Sequence, residues 1–200
     1  MLKQLNPTNK KGYENYRWFF TSEDVLVVGG KSDDQNEAAL KKFLKPNYLV
    51  LHTSKPGSPF MIIQSDNPSE KDIKEAAVFT ACFSQQWKNG KTADKISIDI
   101  FRGNQIYKTR SMKLGTFGIK EKKEIIKVKP ELVLIIQKGK LRAVPKTKRK
   151  EQILIELKPG KLSKEQTTEK IFDKIRNQFN FPITKQEISS AIPSDRLEVK

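Results

Sequence analysis

The segment YKTRSMKLGTFGIKEKK, residues 107–123, interleaves Lys108, Arg110, Lys113, Lys120, Lys122 and Lys123 with Tyr107 and Phe117. Cations at this density can contact successive phosphates, and aromatic rings can stack on unpaired bases. If the segment runs as strands, alternation puts several of the cations on one face. The wider charge distribution agrees. The chain of 200 residues carries 39 Lys+Arg against 23 Asp+Glu, a net charge of +16. Thirteen of those sixteen excess charges fall between Arg102 and Lys161, where 18 basic residues meet 5 acidic ones. Such a field attracts polyanions.

Other chemistry has less to work with. Asp33, Asp34 and Glu37 near His52 could hold a divalent cation for phosphodiester cleavage. The same acids also suit the first turn of a helix, where they complement the macrodipole, and His52 suits a hydrogen-bonded place in an apolar strand. One histidine and one cysteine, Cys82, exclude zinc clusters of the CxxC or HExxH type. GxSxG, GxxxxGK[ST] and GxGxxG are absent as well, so no catalytic residue, metal or cofactor is expected. Trp18 and Trp87 could stack on bases, but both stand beside core-like residues. Gly29, Gly30, Gly57 and Gly115 fit either close backbone approach to a phosphate or turns. Cys82 in AVFTACFSQQW reads as a small core residue.

The elements that must position these residues follow from periodicity and punctuation. NYRWFFTS and VLVVGG are β-rich runs around Ser22, Glu23 and Asp24, a hairpin pattern. Ser32 or Asp33 caps a short helix that Pro46 stops. YLVLHTS and PFMIIQS follow as strands around a turn at Lys55–Ser58. Pro68 and Ser69 open a helix whose apolar stripe runs from Ile73 to Trp87, with Asn89 and Gly90 as its stop. Then come short strands, KISIDIFR, QIYKT, TFGIK, EIIKVK, ELVLIIQKG and KLRAVPK, and a strand QILIELKPG ending in a Pro-Gly turn. Ser163 caps a last helix carrying Ile171, Phe172, Ile175 and Phe179, and a polar segment closes the chain. The expected fold is α+β: a mixed, largely antiparallel sheet covered by helices on one side, with a small C-terminal strand-helix extension. Three regions are expected: a flexible arm over 1–14, a nucleic-acid-binding domain over 15–146, and a basic extension over 147–200 set off by TKRK. No run reaches the length of a membrane span, and MLKQLNPTNKKGYEN lacks a signal-peptide core. A cytoplasmic location, without membrane contact, is expected.

The blocks VLVVGGKSDDQNEAALKKFLKP, LHTSKPGSPFMIIQ, KEAAVFTACFSQQW and IYKTRSMKLGTFGIKEKK, in this order over about Trp18 to Ile136, resemble a known family. It is NFACT-R, the RNA-binding domain of the NFACT proteins of ribosome-associated quality control, once described as fibronectin-binding proteins. The resemblance implies non-catalytic contact with RNA, namely tRNA or rRNA, and with the large ribosomal subunit. It carries over Lys31, Lys108, Thr109, Lys122 and Lys123, and together with the basic segment phosphate contacts are expected from Lys31, Lys108, Arg110, Lys113, Lys122 and Lys123, with Thr109 and Lys120 beside them. Asn36 and His52 are expected to reach a sugar or base, and Asp33, Gln35, Glu37, Gly57 and Trp87 to shape the pocket. The family's acidic residue after the histidine is replaced by Thr53 and Ser54, and the hairpin's Gly-Ser by Gly115 and Thr116. The N-terminal domain, helix-hairpin-helix and coiled coil of full-length family members have no counterpart here, so a stand-alone form is expected. A metal-dependent nuclease built on Asp33, Glu37 and His52, and a nonspecific DNA- or rRNA-binding protein, are the alternatives.

Overall fold

The computed structural model describes residues 12–88, 95–121, 124–179 and 182–200. Arg17–Phe20 (β1) and Leu26–Gly29 (β2) form the expected hairpin, Trp18 opposite Val28. Its turn holds Asp24 at φ 63, a left-handed conformation that Asp tolerates better than most residues. The helix Asp33–Phe43 (α1) starts where the Ser32 side chain accepts the N–H of Gln35. Asp33 and Asp34 at its beginning and Lys41 and Lys42 at its end both suit the helix dipole. Leu49–Thr53 (β3) and Met61–Ile63 (β4) pair antiparallel. Ser69 and Asp72 form a reciprocal capping box for Glu70–Cys82 (α2).

The sequence predicted that this helix runs on to Trp87, whereas it stops at Cys82. The carbonyl of Gly57 captures the Gln85 N–H at 2.7 Å, and the chain restarts as the single turn Gln85–Lys88 (α3). That break turns Trp87 into the core, where it is 1% exposed. Asn89 and Gly90, read as the helix stop, lie outside the described residues.

Ile96–Arg102 (β5), a 3₁₀ turn at Gly103–Gln105, Ile106–Tyr107 (β6), Gly118–Ile119 (β7) and Glu124–Val128 (β8) follow. After them come Leu132–Gln137 (β9), Lys140–Pro145 (β10), Ile155–Leu162 (β11), Lys164–Phe179 (α4), Lys185–Ala191 (α5) and Leu197–Val199 (β12). The strands make a six-stranded sheet in the order β1-β2-β4-β3-β5-β8, a four-stranded sheet β10-β9-β11-β12, and a ribbon of β6 with β7. The fold is α+β, as expected, and every strand pair is antiparallel.

Alternation along the six-stranded sheet divides its side chains between two cores. Leu51, Met61, Ile63, Ile98 and Ile100 pack with Ala76, Ala77, Phe79 and Cys82 of α2. Val50, Ile62 and Phe101 point the other way, onto Ala39 and Leu40 of α1. Helices therefore cover both faces, not one. The period-2 pattern hid this, because β3 and β4 are apolar at consecutive positions and satisfy both neighbours. Leu132, Val133, Leu134 and Ile135 of β9 are each 0% exposed, so the second sheet is also covered on both sides. Cys82 sits in the first core, where burial pushes its thiol pKa well up.

The C-terminal region departs from expectation in two places. Instead of turning at Pro159–Gly160, β11 continues to Leu162 and pairs with β12 across a register shift between those points. A bulge accommodates the proline's missing donor. The closing segment is not simply polar: Thr184 and Glu187 form a capping box for α5, and Leu197 and Val199 bury on alternate positions of β12. No helix among the described residues is long and apolar enough to cross a membrane.

Side chains tie the two sheets together. Gln137, 3% exposed, accepts the Phe20 N–H at 2.7 Å and donates its amide to the Phe20 carbonyl at 2.9 Å. Arg142 donates to the Trp18 carbonyl from Nη2 at 2.7 Å and Nε at 3.2 Å. Glu75 of α2 accepts from Arg149 Nη2 at 2.8 Å, from the Ser22 N–H at 3.0 Å and from the Thr147 hydroxyl at 3.2 Å. The Arg149 and Glu75 side chains are 0% and 1% exposed, and burial lowers the Arg149 pKa against the opposing pull of Glu75. Of the expected arm, residues 1–11 lie outside the described residues. Tyr13 packs edge-on against Trp18, and Glu14 pairs with Lys140 at 2.7 Å.

Candidate nucleic-acid interface

Among the described residues, two residue pairs of the basic hairpin form a ladder, Ile106 with Ile119 and Tyr107 with Gly118. Residues 108–117 are instead a loop folded by its own turns, Met112 N–H to the Thr109 carbonyl and Thr116 N–H to the Lys113 carbonyl. The cations therefore do not alternate along a strand. Gly115, at φ 76, and the absence of any apolar period make the loop the preferred state. Thr109, Arg110 and Lys113 are exposed on it, and Lys120 is exposed just past the ribbon. Among the described residues no carboxylate pairs with Arg110, Lys113 or Lys120. Lys122 and Lys123 lie outside the described residues.

Lys108 has a different setting. Its ammonium donates to the Lys113 carbonyl at 2.8 Å, to the Thr116 carbonyl at 3.1 Å and to the Glu37 carboxylate, and it stands 4.9 Å from the centre of the Phe117 ring. An ammonium has three donors, so all of them have acceptors. Glu37 also accepts the Gly115 N–H at 2.9 Å. The Lys108 hydrogen bond, followed by that of Gly115, holds the Glu37 carboxyl below its ordinary pKa. Glu37 is thus a latch that fixes the loop against α1. A side chain at Gly115 would collide with Asp33, since an added Cβ would stand 2.7 Å from the Asp33 Cβ.

A prediction follows for Glu37→Ala. The 108–117 loop should stay attached through its ribbon but lose the latch, so amide exchange at Gly115 should accelerate at least tenfold while that of α2 stays unchanged. Because the folded-state pKa of Glu37 is depressed, wild-type protection at Gly115 should be complete above the ordinary carboxylate range and fall as pH drops through the lower folded value. Equal exchange in both proteins would remove Glu37 from this role.

Between the loop, the first turn of α1 and the β3–β4 turn lies a cleft of about 540 Å³. It brings together Asp33, Asn36, His52 and Gly57, which the sequence had singled out, with Leu114 and Phe117 from the loop. Phe60 anchors its base, with ring centroids of His52, Phe117 and Phe101 at 4.6, 5.3 and 6.3 Å. Leu114 and Tyr107 are 53% and 38% exposed beside it. His52 Nδ1 bonds the Thr53 carbonyl at 2.7 Å. Asp99, directly across the ladder on β5 and 5% exposed, accepts from the Ser54 hydroxyl. Asp99 was missed in the sequence, although Ser97 and Asp99 as polar interruptions of KISIDIFR were a visible signal. It supplies a carboxylate next to the histidine that Thr53 and Ser54 do not.

Asn36 is 7% exposed, and its Oδ1 has no hydrogen-bond partner among the described residues. Its backbone crowds Gly30 so closely that an added Cβ there would stand 2.4 Å from both Asn36 N and Oδ1. Gly30 therefore serves close approach of helix to strand rather than a turn. The Gln35 side chain accepts the Lys31 N–H at 3.1 Å, while the Gln35 N–H donates to the Ser32 hydroxyl. The Lys31 side chain is not part of this cleft, and Trp87 does not line it. Among the described residues no group of three or more His, Cys, Asp or Glu side chains gathers as a metal site, and Glu37 is engaged by the loop. A larger cavity, about 800 Å³, lies between the 129–131 turn, β11, α4 and β12 and contains none of the candidate site residues.

Known proteins are similar to this chain in sequence and in fold. The chain is 31% identical over 127 residues to the archaeal Rqc2 homolog aRqcH of Methanocaldococcus jannaschii, covering 60% of this chain and 18% of that protein. It is 27% identical over 121 residues to the ribosome quality control complex subunit NEMF homolog of Drosophila melanogaster, covering 57% of this chain and 12% of that one. Against human ribosome quality control complex subunit NEMF, identity is 31% over 80 residues, covering 38% of this chain and 7% of that one. The chain thus spans less than a fifth of the length of these relatives. The solved C-terminal part of the fibronectin/fibrinogen-binding protein of Streptococcus suis shares the fold, with a TM-score of 0.53 at 18% identity over 64% of this chain and 51% of that one. The model of the NFACT protein RNA binding domain matches residues 15–121, just over half of the chain, and the chain belongs to that family.

Proposed function

We propose that the chain is a non-catalytic RNA-binding protein of the cytoplasm that contacts tRNA or the rRNA of the large ribosomal subunit during ribosome quality control. The observation that carries this reading is the latched loop. Glu37 and Lys108 hold a ridge of exposed cations that form no ion pair among the described residues, beside a cleft with an aromatic base. Backbone phosphates would meet Arg110, Lys113 and Lys120, while an unpaired base or sugar would enter the cleft toward Asn36 and His52. Lys108 acts as the staple that shapes the ridge. Membership of the family and the ribosome quality control roles named for its relatives support the setting.

The test is the salt dependence of tRNA affinity. Neutralising about four phosphates gives a log–log slope near −3 to −4, because each contact releases condensed counterions. Fluorescence anisotropy between 50 and 200 mM salt reads it directly. A slope near zero would sink the proposal. Tight binding that ignored RNA in favour of any acidic peptide would sink it equally.

A further inference from the structure

Past the start of α1 from the aromatic cleft, three cations converge, and none of them forms an ion pair among the described residues. Arg17 of β1, Lys31 at the end of β2 and Arg142 of β10 line a pocket of about 220 Å³. Each guanidinium is fixed by an aromatic face: Arg142 lies 4.4 Å from the Trp18 ring centre, and Arg17 lies 4.4 Å from that of Phe83. Stacking of this kind orients the planar fork; the Trp18 carbonyl takes the Nε/Nη2 edge of Arg142, and its Nη1 and the Arg17 fork remain for an oxyanion. Arg142 is anchored further by its two bonds to the Trp18 carbonyl.

Two carboxylates line the same pocket, and each is held by another partner. Glu14 binds Lys140, a fourth cation of the pocket wall, at 2.7 Å, and its charge partly offsets the lowering of the Arg142 pKa. Glu187 accepts the N–H and hydroxyl of Thr184, each at 2.8 Å, as the cap of α5. Among the described residues no carboxylate forms an ion pair with Arg17, Lys31 or Arg142. Burial draws the pKa of both arginines down to about 10, and Arg17 pulls further on Arg142. Lys31 is lowered by burial and then by both arginines. Holding like charges together in a partly desolvated place is costly unless an anion joins them.

The pocket also has a direction. It shares Arg17, Lys31 and Phe83 with a second hollow of about 220 Å³ at the start of α1, and that hollow shares Asp33, Asn36, Gly57 and Ser58 with the aromatic cleft. The three hollows form one groove over the N-terminal end of α1. Arg142 and the α5 wall lie beyond the 15–121 segment that matches the family model.

We infer that the Arg17–Lys31–Arg142 pocket binds one phosphate group of the RNA strand whose neighbouring nucleotide occupies the aromatic cleft. This rests on the RNA-binding reading above, and two separate measurements keep them distinguishable. In the first, the full chain is titrated with inorganic phosphate and the arginine Nε–H signals are followed by NMR. The Arg17 and Arg142 signals should move saturably while that of Arg176 does not; uniform shifts, or none, overturn the pocket whatever the protein does with RNA.

In the second, tRNA affinity is compared among wild type, Arg17→Gln, Arg17→Lys and Arg176→Gln. Arg17→Gln should weaken binding about tenfold, the effect of one charge-assisted contact, and reduce the salt slope by about one. Arg17→Lys should recover only part, because an ammonium lacks the fork, and Arg176→Gln on exposed α4 should change affinity less than twofold. Equal affinity of wild type and Arg17→Gln overturns the pocket as part of the RNA site. Failure of the wild type itself to bind RNA overturns the broader reading, and with it the phosphate's assignment to RNA. A strand-end phosphate and a backbone phosphate offer the same oxygens; removing the 5′-phosphate from the RNA lowers affinity in the first case and leaves it unchanged in the second.

Discussion

Replacing Glu75 with alanine will lower the unfolding free energy by about 3–5 kcal/mol, among the larger losses a single substitution in this chain can cause. Glu75 and Arg149 are both almost fully inaccessible to water, and the carboxylate also receives the Ser22 N–H and the Thr147 hydroxyl. Removing it leaves a guanidinium in the interior with no countercharge of comparable closeness, since Glu151 stands 3.8 Å from Nη1. Each kcal/mol should shift the melting temperature by about 2–4 °C in a chain of this size. Chemical denaturation of wild type, Glu75→Ala and the double variant Glu75→Leu/Arg149→Met measures the loss. The double variant should recover much of it, because neither charge is then stranded. A loss under about 1 kcal/mol in the single variant would mean that Arg149 finds water instead, and that residues 147–149 are not pinned to α2.

The second large effect concerns affinity. Reversing Arg110, Lys113 and Lys120 together to glutamate should weaken tRNA binding about a hundredfold or more at low salt and flatten the salt slope by about three. All three side chains are exposed and, among the described residues, unpaired with any acid. The denaturation midpoint should therefore stay near that of the wild type, which separates lost binding from lost folding. The loss should extend across unrelated RNA sequences, because phosphate contacts carry no sequence information. Affinity within twofold of wild type would place the RNA on another surface.

Local signals made much of the scaffold legible. Ser32 with Gln35 and Ser69 with Asp72 announce helix starts through side chain–backbone pairs three residues apart, and the turns after Phe20 and Thr53 are written in polar and glycine-containing clusters. Cleft residues carried by those elements, Asp33, Asn36, His52 and Gly57, came together as a result. What could not be read was set by distant partners. Arg17 and Arg142 lie in strands far apart in sequence, and only the packing of the two sheets brings them to one pocket. Asp99 meets His52 through strand register, and the α2 break depends on a carbonyl from a turn 28 residues earlier, between Gly57 and Gln85. Lys108 looked like its neighbours in a basic run; only the fold gives it three acceptors.

The Gln137 amide, seated on both polar groups of Phe20 while Arg142 occupies the Trp18 carbonyl, imitates a further strand along the outer margin of β1. A peptide seeking to extend the sheet there would find both polar groups of Phe20 and the Trp18 carbonyl already taken, which works against self-association and strand addition at that margin. Any such recruitment would fall to β8 at the opposite margin, where Ile125 is 57% exposed.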